Sequence, residues 1–110
     1  MKEKEKDLQK AIKDYLELKG FIVVKFNSTG IYNKARDQYI PLPRRGVSDL
    51  IACTKDGRFV AIEVKVGKNK ATQEQLDFLE DIRAHNGIAM LAYSIEDIEK
   101  GLKNANERVF

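Results

Sequence analysis

The sequence predicts an α/β protein whose elements follow the order αβββαβα. Some segments carry apolar residues at the three- and four-residue spacing of amphipathic helices. Others are short runs of β-branched and aromatic residues, which are typical of buried strands. Because the chain has 110 residues and 43% hydrophobic side chains, we expect residues 1–110 to form one domain around one core.

The first predicted elements are a helix, a buried strand and a long loop. A helical period runs from about residue 3 to 19, and Gly20 ends it. Residues 21–26 read as a buried strand, whereas residues 27–46 contain two glycines, two prolines and no sustained period, which predicts a long loop. The remaining elements are strands at residues 48–54 and 58–66, a helix at 72–86, a strand at 88–93 and a helix at 95–103.

The loop between the second and third strands decides which side chains share a face of this hairpin. A slip of one residue moves every side chain to the opposite face. A two-residue loop at Asp56-Gly57 would set Asp49 opposite Val64. A three-residue loop with Gly57 in the left-handed conformation sets Asp49 opposite Glu63, and we prefer it. In that register both faces are apolar along most of their length, and charge gathers at one end.

Asp49, Glu63 and Lys65 form this charged end. Two close carboxylates repel each other, the more so at low dielectric, unless a cation joins them. We expect a hard divalent cation, such as magnesium, manganese or calcium, bound by both carboxylates, a carbonyl near Val64 and several waters. It would acidify a water and neutralise charge on a phosphate, while Lys65 orients the nucleophile or stabilises the transition state. One cysteine and one histidine leave little for a zinc centre.

A simpler interpretation stays open for these charges, because Lys65 could merely form a salt bridge at a solvated sheet edge. The distribution of charge bears on the choice. Residues 34–70 hold nine Lys/Arg and four Asp/Glu, whereas the whole chain has a net charge of +3. A basic middle suits a phosphate-rich partner, although exposed lysines also serve only solubility.

These residues resemble a known group of nucleases, the PD-(D/E)XK superfamily, and more narrowly a stand-alone VRR-NUC domain of the type found in phages and bacteria. The resemblance covers nearly the whole chain and implies a restriction-endonuclease-like core with a mixed central sheet flanked by helices. Ser48 stands where the family usually has proline. The matching positions are Glu5 ahead of Leu8-Gln9, the segment Gly46-Val47-Ser48-Asp49, the triplet Glu63-Val64-Lys65, and Gln75.

The resemblance implies a structure-selective DNA endonuclease that depends on Mg²⁺, with Mn²⁺ as a substitute, and acts in replication, repair or recombination. Asp49 and Glu63 would be metal ligands and Lys65 the catalytic lysine. Holliday-junction resolvases are the nearest rival within the superfamily. A non-catalytic nucleic-acid-binding module and a housekeeping domain with a charged sheet edge are the rivals outside it.

The resemblance also assigns roles to residues of the two flanking helices. Glu5 would reach a metal or a water from the first helix, with Gln9 a weaker candidate. Gln75 follows Thr72 at the spacing of a capping box, which by itself explains its presence at a helix start. The resemblance implies that Gln75 also points at the site.

The expected partner is DNA. Arg44, Arg45, Lys68 and Lys70 flank the site in sequence, and with Ser48 they are our candidate DNA contacts; a solvated basic surface is the alternative. A homodimer is a further hypothesis, because cutting a two-fold junction needs two sites. No membrane partner is expected, since no apolar run approaches roughly 18 residues, and we expect a cytosolic protein.

Overall fold

A computed structural model describes residues 2–26, 31–40 and 44–107 of the chain. Four strands form a mixed central sheet in the order β1-β4-β5-β6, in which only β5 and β6 run parallel. The protein is therefore a mixed α/β protein, as predicted. The described elements are α1 (Lys2–Leu18), β1 (Ile22–Lys25), β2 (Ile31–Asn33), β3 (Gln38–Ile40), β4 (Leu50–Cys53), β5 (Phe59–Val64), α2 (Gln73–Ala84), β6 (Ile88–Ala92) and α3 (Ile95–Glu107).

Helices cover the sheet on both faces. α1 and α3 pack on one face over the larger part of the core, and α2 packs on the other face over β5 and β6. In the described part of the chain, no helix has the length and apolar content needed to cross a membrane. The larger core contains Ile12, Leu16, Val23, Leu50, Ala52, Val60, Ile62, Val64, Ile88, Met90, Ala92, Ile98 and Ala105, and the smaller one contains Ala61, Phe78, Leu79 and Ala89.

Three of the sequence predictions were wrong. The strand predicted to be buried, β1, lies at the edge of the sheet with Ile22 and Val24 exposed. The predicted order αβββαβα omits two strands, and the last helix is longer than predicted. Within the predicted loop at 27–46, β2 and β3 form a separate two-stranded antiparallel sheet. Strands of three residues are too short to show a period, so their cross-strand pairing was invisible in the sequence. The last helix continues to Glu107 instead of ending at residue 103, because Ala105 is buried and extends the apolar stripe of α3.

The predicted three-residue loop between β4 and β5 is confirmed. Cys53 pairs with Phe59 and Leu50 pairs with Ile62. The Gly57 N–H donates to the Thr54 carbonyl at 3.0 Å, and Gly57 has φ +86°. Glycine adopts this left-handed conformation without the steric cost that a side chain brings. Counting outward in this register sets Asp49 opposite Glu63.

Candidate active site

Asp49 lies where the ladder between β4 and β5 ends. The last pair is Leu50 with Ile62. On the other side of β5, the Lys65 N–H donates to the Ala92 carbonyl of β6 at 3.0 Å, so the preceding Val64 N–H points toward β4. That N–H donates to Oδ2 of Asp49 at 3.0 Å. The carboxylate thus takes the place of a main-chain acceptor and is held against the end of β5.

Glu63 is a buried carboxylate at the same end of the sheet, with a relative exposure of 1%. Its Oε2 accepts a hydrogen bond from Nε2 of Gln75 at 3.1 Å and lies 3.7 Å from Nζ of Lys65. Its Oε1 has no hydrogen-bond partner among the described residues. A buried carboxylate oxygen that lacks a partner is costly, so this position favours an added proton or cation.

The surroundings of Glu63 favour its protonated form. Burial, the largest cause, together with the nearby carboxyl group of Asp49, which can share a proton with Glu63 and repels its charge, raises the pKa of Glu63 from 4.5 to about 8. Lys65 opposes this rise in the pKa, and Glu5 adds to it. The two carboxylates predicted to share a site are therefore close enough to interact, and Glu5 on α1 is close enough to act on Glu63.

Gln75 makes both of the contacts considered for it, at the start of α2 and at the candidate site. Its N–H donates to Oγ1 of Thr72 at 3.1 Å, and its Oε1 accepts from the Thr72 N–H at 2.9 Å, which completes a capping box at the start of α2. The other end of the same amide, Nε2, holds Glu63. One side chain thus joins the first turn of α2 to the buried carboxyl group.

Asp49 and Glu63 are the side chains at this end of the sheet that could hold a cation. Among the described residues, no cluster of three or more His, Cys, Asp or Glu side chains is arranged to hold a metal. Mg²⁺ in proteins commonly uses one or two carboxylates and completes its shell with waters and substrate phosphate. Asp49 and Glu63 supply two carboxylates, and the unpaired Oε1 is an acceptor that a cation would satisfy. Gln9 and Ser48 also keep buried oxygens without partners among the residues described.

The candidate DNA contacts fall into three environments. Arg45, Lys68 and Lys70 are exposed. Arg44 forms an ion pair with Asp81 at 2.6 Å, and its guanidinium carbon lies 5.2 Å from the centre of the Phe78 ring, so it joins the chain before Asp49 to α2. Ser48 is fully buried, which places its hydroxyl away from the surface.

Gly46 has a positional role that the sequence did not reveal. Its φ is +82°, and a Cβ at this position would lie 2.3 Å from the Glu74 carbonyl oxygen and 2.8 Å from the Gln75 nitrogen. Only glycine lets the segment before Asp49 lie this close to the first turn of α2. The glycine itself was visible in the sequence, but the approaching backbone belongs to a distant part of the chain.

The fold brings four predicted site residues together at one end of the sheet, and a functional assignment depends on them. They are Asp49, Glu63, Lys65 and Gln75. Comparison with known proteins adds no relative to this picture. The sequence matches no protein-family model and no curated protein, and the structure matches no solved structure.

Proposed function

We propose that the protein is a metal-dependent, structure-selective DNA endonuclease with a PD-(D/E)XK core resembling the VRR-NUC domain, which hydrolyses phosphodiester bonds in replication, repair or recombination. The observation that carries this proposal is the state of Glu63. It is fully buried, keeps one oxygen without a partner among the described residues and lies beside a second carboxyl group. A simple salt bridge at a solvated edge explains neither the burial nor the second carboxyl group.

The proposed metal ligands are Asp49, Glu63 and the main-chain carbonyl of Val64, and Glu5 on α1 is a further candidate, because its charge contributes to the raised pKa of Glu63. Mg²⁺, or Mn²⁺ in its place, would act as a Lewis acid toward the phosphate. The Val64 N–H orients the carboxylate of Asp49, and the amide of Gln75 orients that of Glu63. Both ligands are thereby held before substrate binds, which is the preorganisation that catalytic sites need.

Lys65 is the proposed catalytic residue. Its side chain is only 15% exposed, and its Nζ lies 3.7 Å from Oε2 of Glu63. An ammonium group held at this position can donate to the attacking water or to a phosphate oxygen as negative charge develops. The contact with Glu63 keeps the ammonium close to the proposed metal ligands without saturating its three donors.

The proposed substrate is DNA, bound through its phosphates. Arg45, Lys68 and Lys70 are exposed cations close in sequence to the site residues, and such contacts supply affinity without reading sequence.

A homodimer follows as a hypothesis for substrates with two-fold symmetry, because one chain carries one such site. Sedimentation with and without a four-way junction tests it, and a strict monomer under both conditions would exclude it.

The cleavage test uses end-labelled duplex, flap, splayed-arm and four-way-junction DNA with Mg²⁺, Mn²⁺ or EDTA. We expect cleavage that needs a metal and falls roughly 100-fold or more in Lys65→Ala, the usual cost of removing a transition-state donor. Lys103→Ala, which removes an exposed lysine of α3, is the matched control and should cut like the wild type. Binding of DNA without cleavage of any substrate by the wild type would favour a non-catalytic nucleic-acid-binding module instead.

A further inference from the structure

The β2–β3 hairpin is a sheet of its own, attached at the catalytic end of the central sheet. Its strands pair with each other through three residue pairs and form no ladder with the described strands of the central sheet. The chain leaves the central sheet at Phe26, whose N–H donates to the Asp49 carbonyl at 2.8 Å, and it returns at Arg44, which is tied to α2. Phe26 is therefore fastened beside the candidate metal ligand Asp49, and Gly46, two residues after Arg44, lies against the backbone of Glu74 and Gln75.

The hairpin has the dimensions of an element that enters a DNA groove. Three residue pairs at about 3.4 Å per residue make a ribbon roughly 10 Å long before the turn. The major groove of B-form DNA is about 12 Å wide and 8.5 Å deep, and it admits a two-stranded β-ribbon. The turn is closed by a hydrogen bond of 3.4 Å from the Asp37 N–H to the Lys34 carbonyl, and residues 34–38 are exposed.

The tip of the hairpin carries side chains suited to DNA. Lys34 and Arg36 place two cations at the turn, against the single carboxylate of Asp37. Directly below the turn, Gln38 is exposed, and an amide side chain is among those that hydrogen-bond to base edges in the major groove. Positive charge meets phosphates at the groove walls, so this end of the ribbon complements duplex DNA.

We propose that the β2–β3 ribbon enters the major groove of a duplex arm next to the scissile bond, with Lys34 and Arg36 as DNA contacts. The ribbon sets the position of the duplex relative to the site, because the chain on either side of it is fastened there, at Phe26 beside Asp49 and at Gly46 beside Gln75. This inference rests on the proposed function in taking DNA as the substrate of the site. The inference adds an element that binds duplex DNA in its groove, whereas the other proposed DNA contacts bind only phosphates.

The test measures the Kd of the full-length protein by fluorescence anisotropy in EDTA, so that binding is separated from cleavage. Lys34→Ala/Arg36→Ala is compared with Lys55→Ala, which removes an exposed lysine from the turn at the opposite end of the central sheet. We expect the double variant to bind a DNA duplex about tenfold more weakly, with the slope of log Kd against log salt reduced by about two. Lys55→Ala should match the wild type.

The second part of the test uses an RNA duplex of the same sequence. Its phosphates are retained, but the major groove of A-form RNA is too narrow and deep for side chains to read. We expect the double variant to lose affinity for the DNA duplex and almost none for the RNA duplex. An equal loss on RNA duplex or on single-stranded DNA, or no loss on the DNA duplex, would overturn the groove assignment.

The two proposals fail in different ways. If the wild type cuts DNA with Mg²⁺ while the double variant binds duplex as the wild type does, the nuclease proposal stands and the ribbon does not. If the double variant loses affinity only for duplex DNA and the wild type cuts nothing, the ribbon inference stands and the nuclease proposal does not. Thermal melts of all variants check that the substitutions at the exposed tip leave the fold intact.

Discussion

Gln75 and Glu63 are joined by a hydrogen bond of 3.1 Å between the amide nitrogen Nε2 and the carboxyl oxygen Oε2. The other end of the same amide caps α2 by accepting from the Thr72 N–H. The first turn of the helix and the buried carboxyl group therefore depend on one side chain. Substitutions at the two capping residues separate the structural role from the role in the site.

Gln75→Ala and Thr72→Ala both break the capping box, so we expect each to lower the free energy of unfolding by about 1 kcal/mol. Only Gln75→Ala also releases Glu63, and it alone should reduce metal-dependent cleavage, by roughly tenfold or more. Urea unfolding and cleavage rates measured on both variants decide this. Equal cleavage rates in the two variants would show that Gln75 serves the helix alone.

The raised pKa of Glu63 predicts how the stability of the metal-free protein depends on pH. Its pKa is about 8 in the folded protein against an ordinary value of 4.5, so between these values the folded chain keeps a proton that the unfolded chain has released. The contribution of this proton to the free energy of unfolding is therefore fully present below about pH 4.5. It is lost as pH rises toward 8, by at most about 1.4 kcal/mol per pH unit.

Urea unfolding in EDTA between pH 6 and 9 measures this slope. Glu63→Gln should remove it, because the amide does not titrate, and the variant should exceed the wild type in stability at pH 8.5. Glu99→Gln, on the exposed side of α3, is the control and should keep the wild-type slope. A wild-type stability that is flat or rises over this range would contradict the assigned protonation of Glu63.

Metal binding should compete with the same proton. Below about pH 8, a cation that binds Glu63 must displace the proton, so the apparent affinity for Mn²⁺ should rise with pH, by up to about tenfold per pH unit. Isothermal titration at pH 6 in buffers of different ionisation enthalpy counts the protons released, and we expect close to one per metal. Asp49→Asn should abolish binding, whereas binding without proton release would argue against Glu63 as a ligand.

Gly46 and Gly57 allow a matched test of the close contact between the segment before Asp49 and the first turn of α2. Both have positive φ, but a Cβ at Gly46 would strike the backbone of Glu74, whereas a Cβ at Gly57 meets nothing within 4 Å. We expect Gly57→Ala to cost about 1–2 kcal/mol of unfolding free energy from its conformation alone. Gly46→Ala should cost clearly more and also reduce cleavage, since it displaces the segment before Asp49. Equal losses of stability would show that the contact is easily relaxed.

Arg44 and Arg45 are adjacent in sequence but differ in surroundings. Arg44 pairs with Asp81 and lies over Phe78, so Arg44→Ala should lower stability by about 1 kcal/mol. Arg45→Ala should change stability by less than about 0.5 kcal/mol and weaken DNA binding. A double-mutant cycle of Arg44→Ala with Asp81→Ala, followed by urea unfolding, measures the coupling, and a coupling of zero would leave Arg44 as a simple surface cation.

The hairpin register and the positions of the longer helices were determined by the sequence itself. Apolar periods of ten or more residues outweigh local propensity, which is why α1 and α2 lie close to their predicted bounds. The three-residue turn at 55–57 sets the register of the β4–β5 hairpin, because Gly57 takes the left-handed conformation that closes this turn. That local choice is sufficient to set Asp49 opposite Glu63.

Only the tertiary structure decided which groups meet across the fold. The burial of Glu63, the contact of Gln75 with it, the attachment of Arg44 to Asp81 and the approach of Gly46 to α2 all depend on where α2 lies over the sheet. A periodic pattern shows which face of a helix is buried, but the packing of side chains from distant segments determines what that face contacts. The β2–β3 hairpin belongs with these features, because its short strands are defined by their partners across the ribbon and by no pattern of their own.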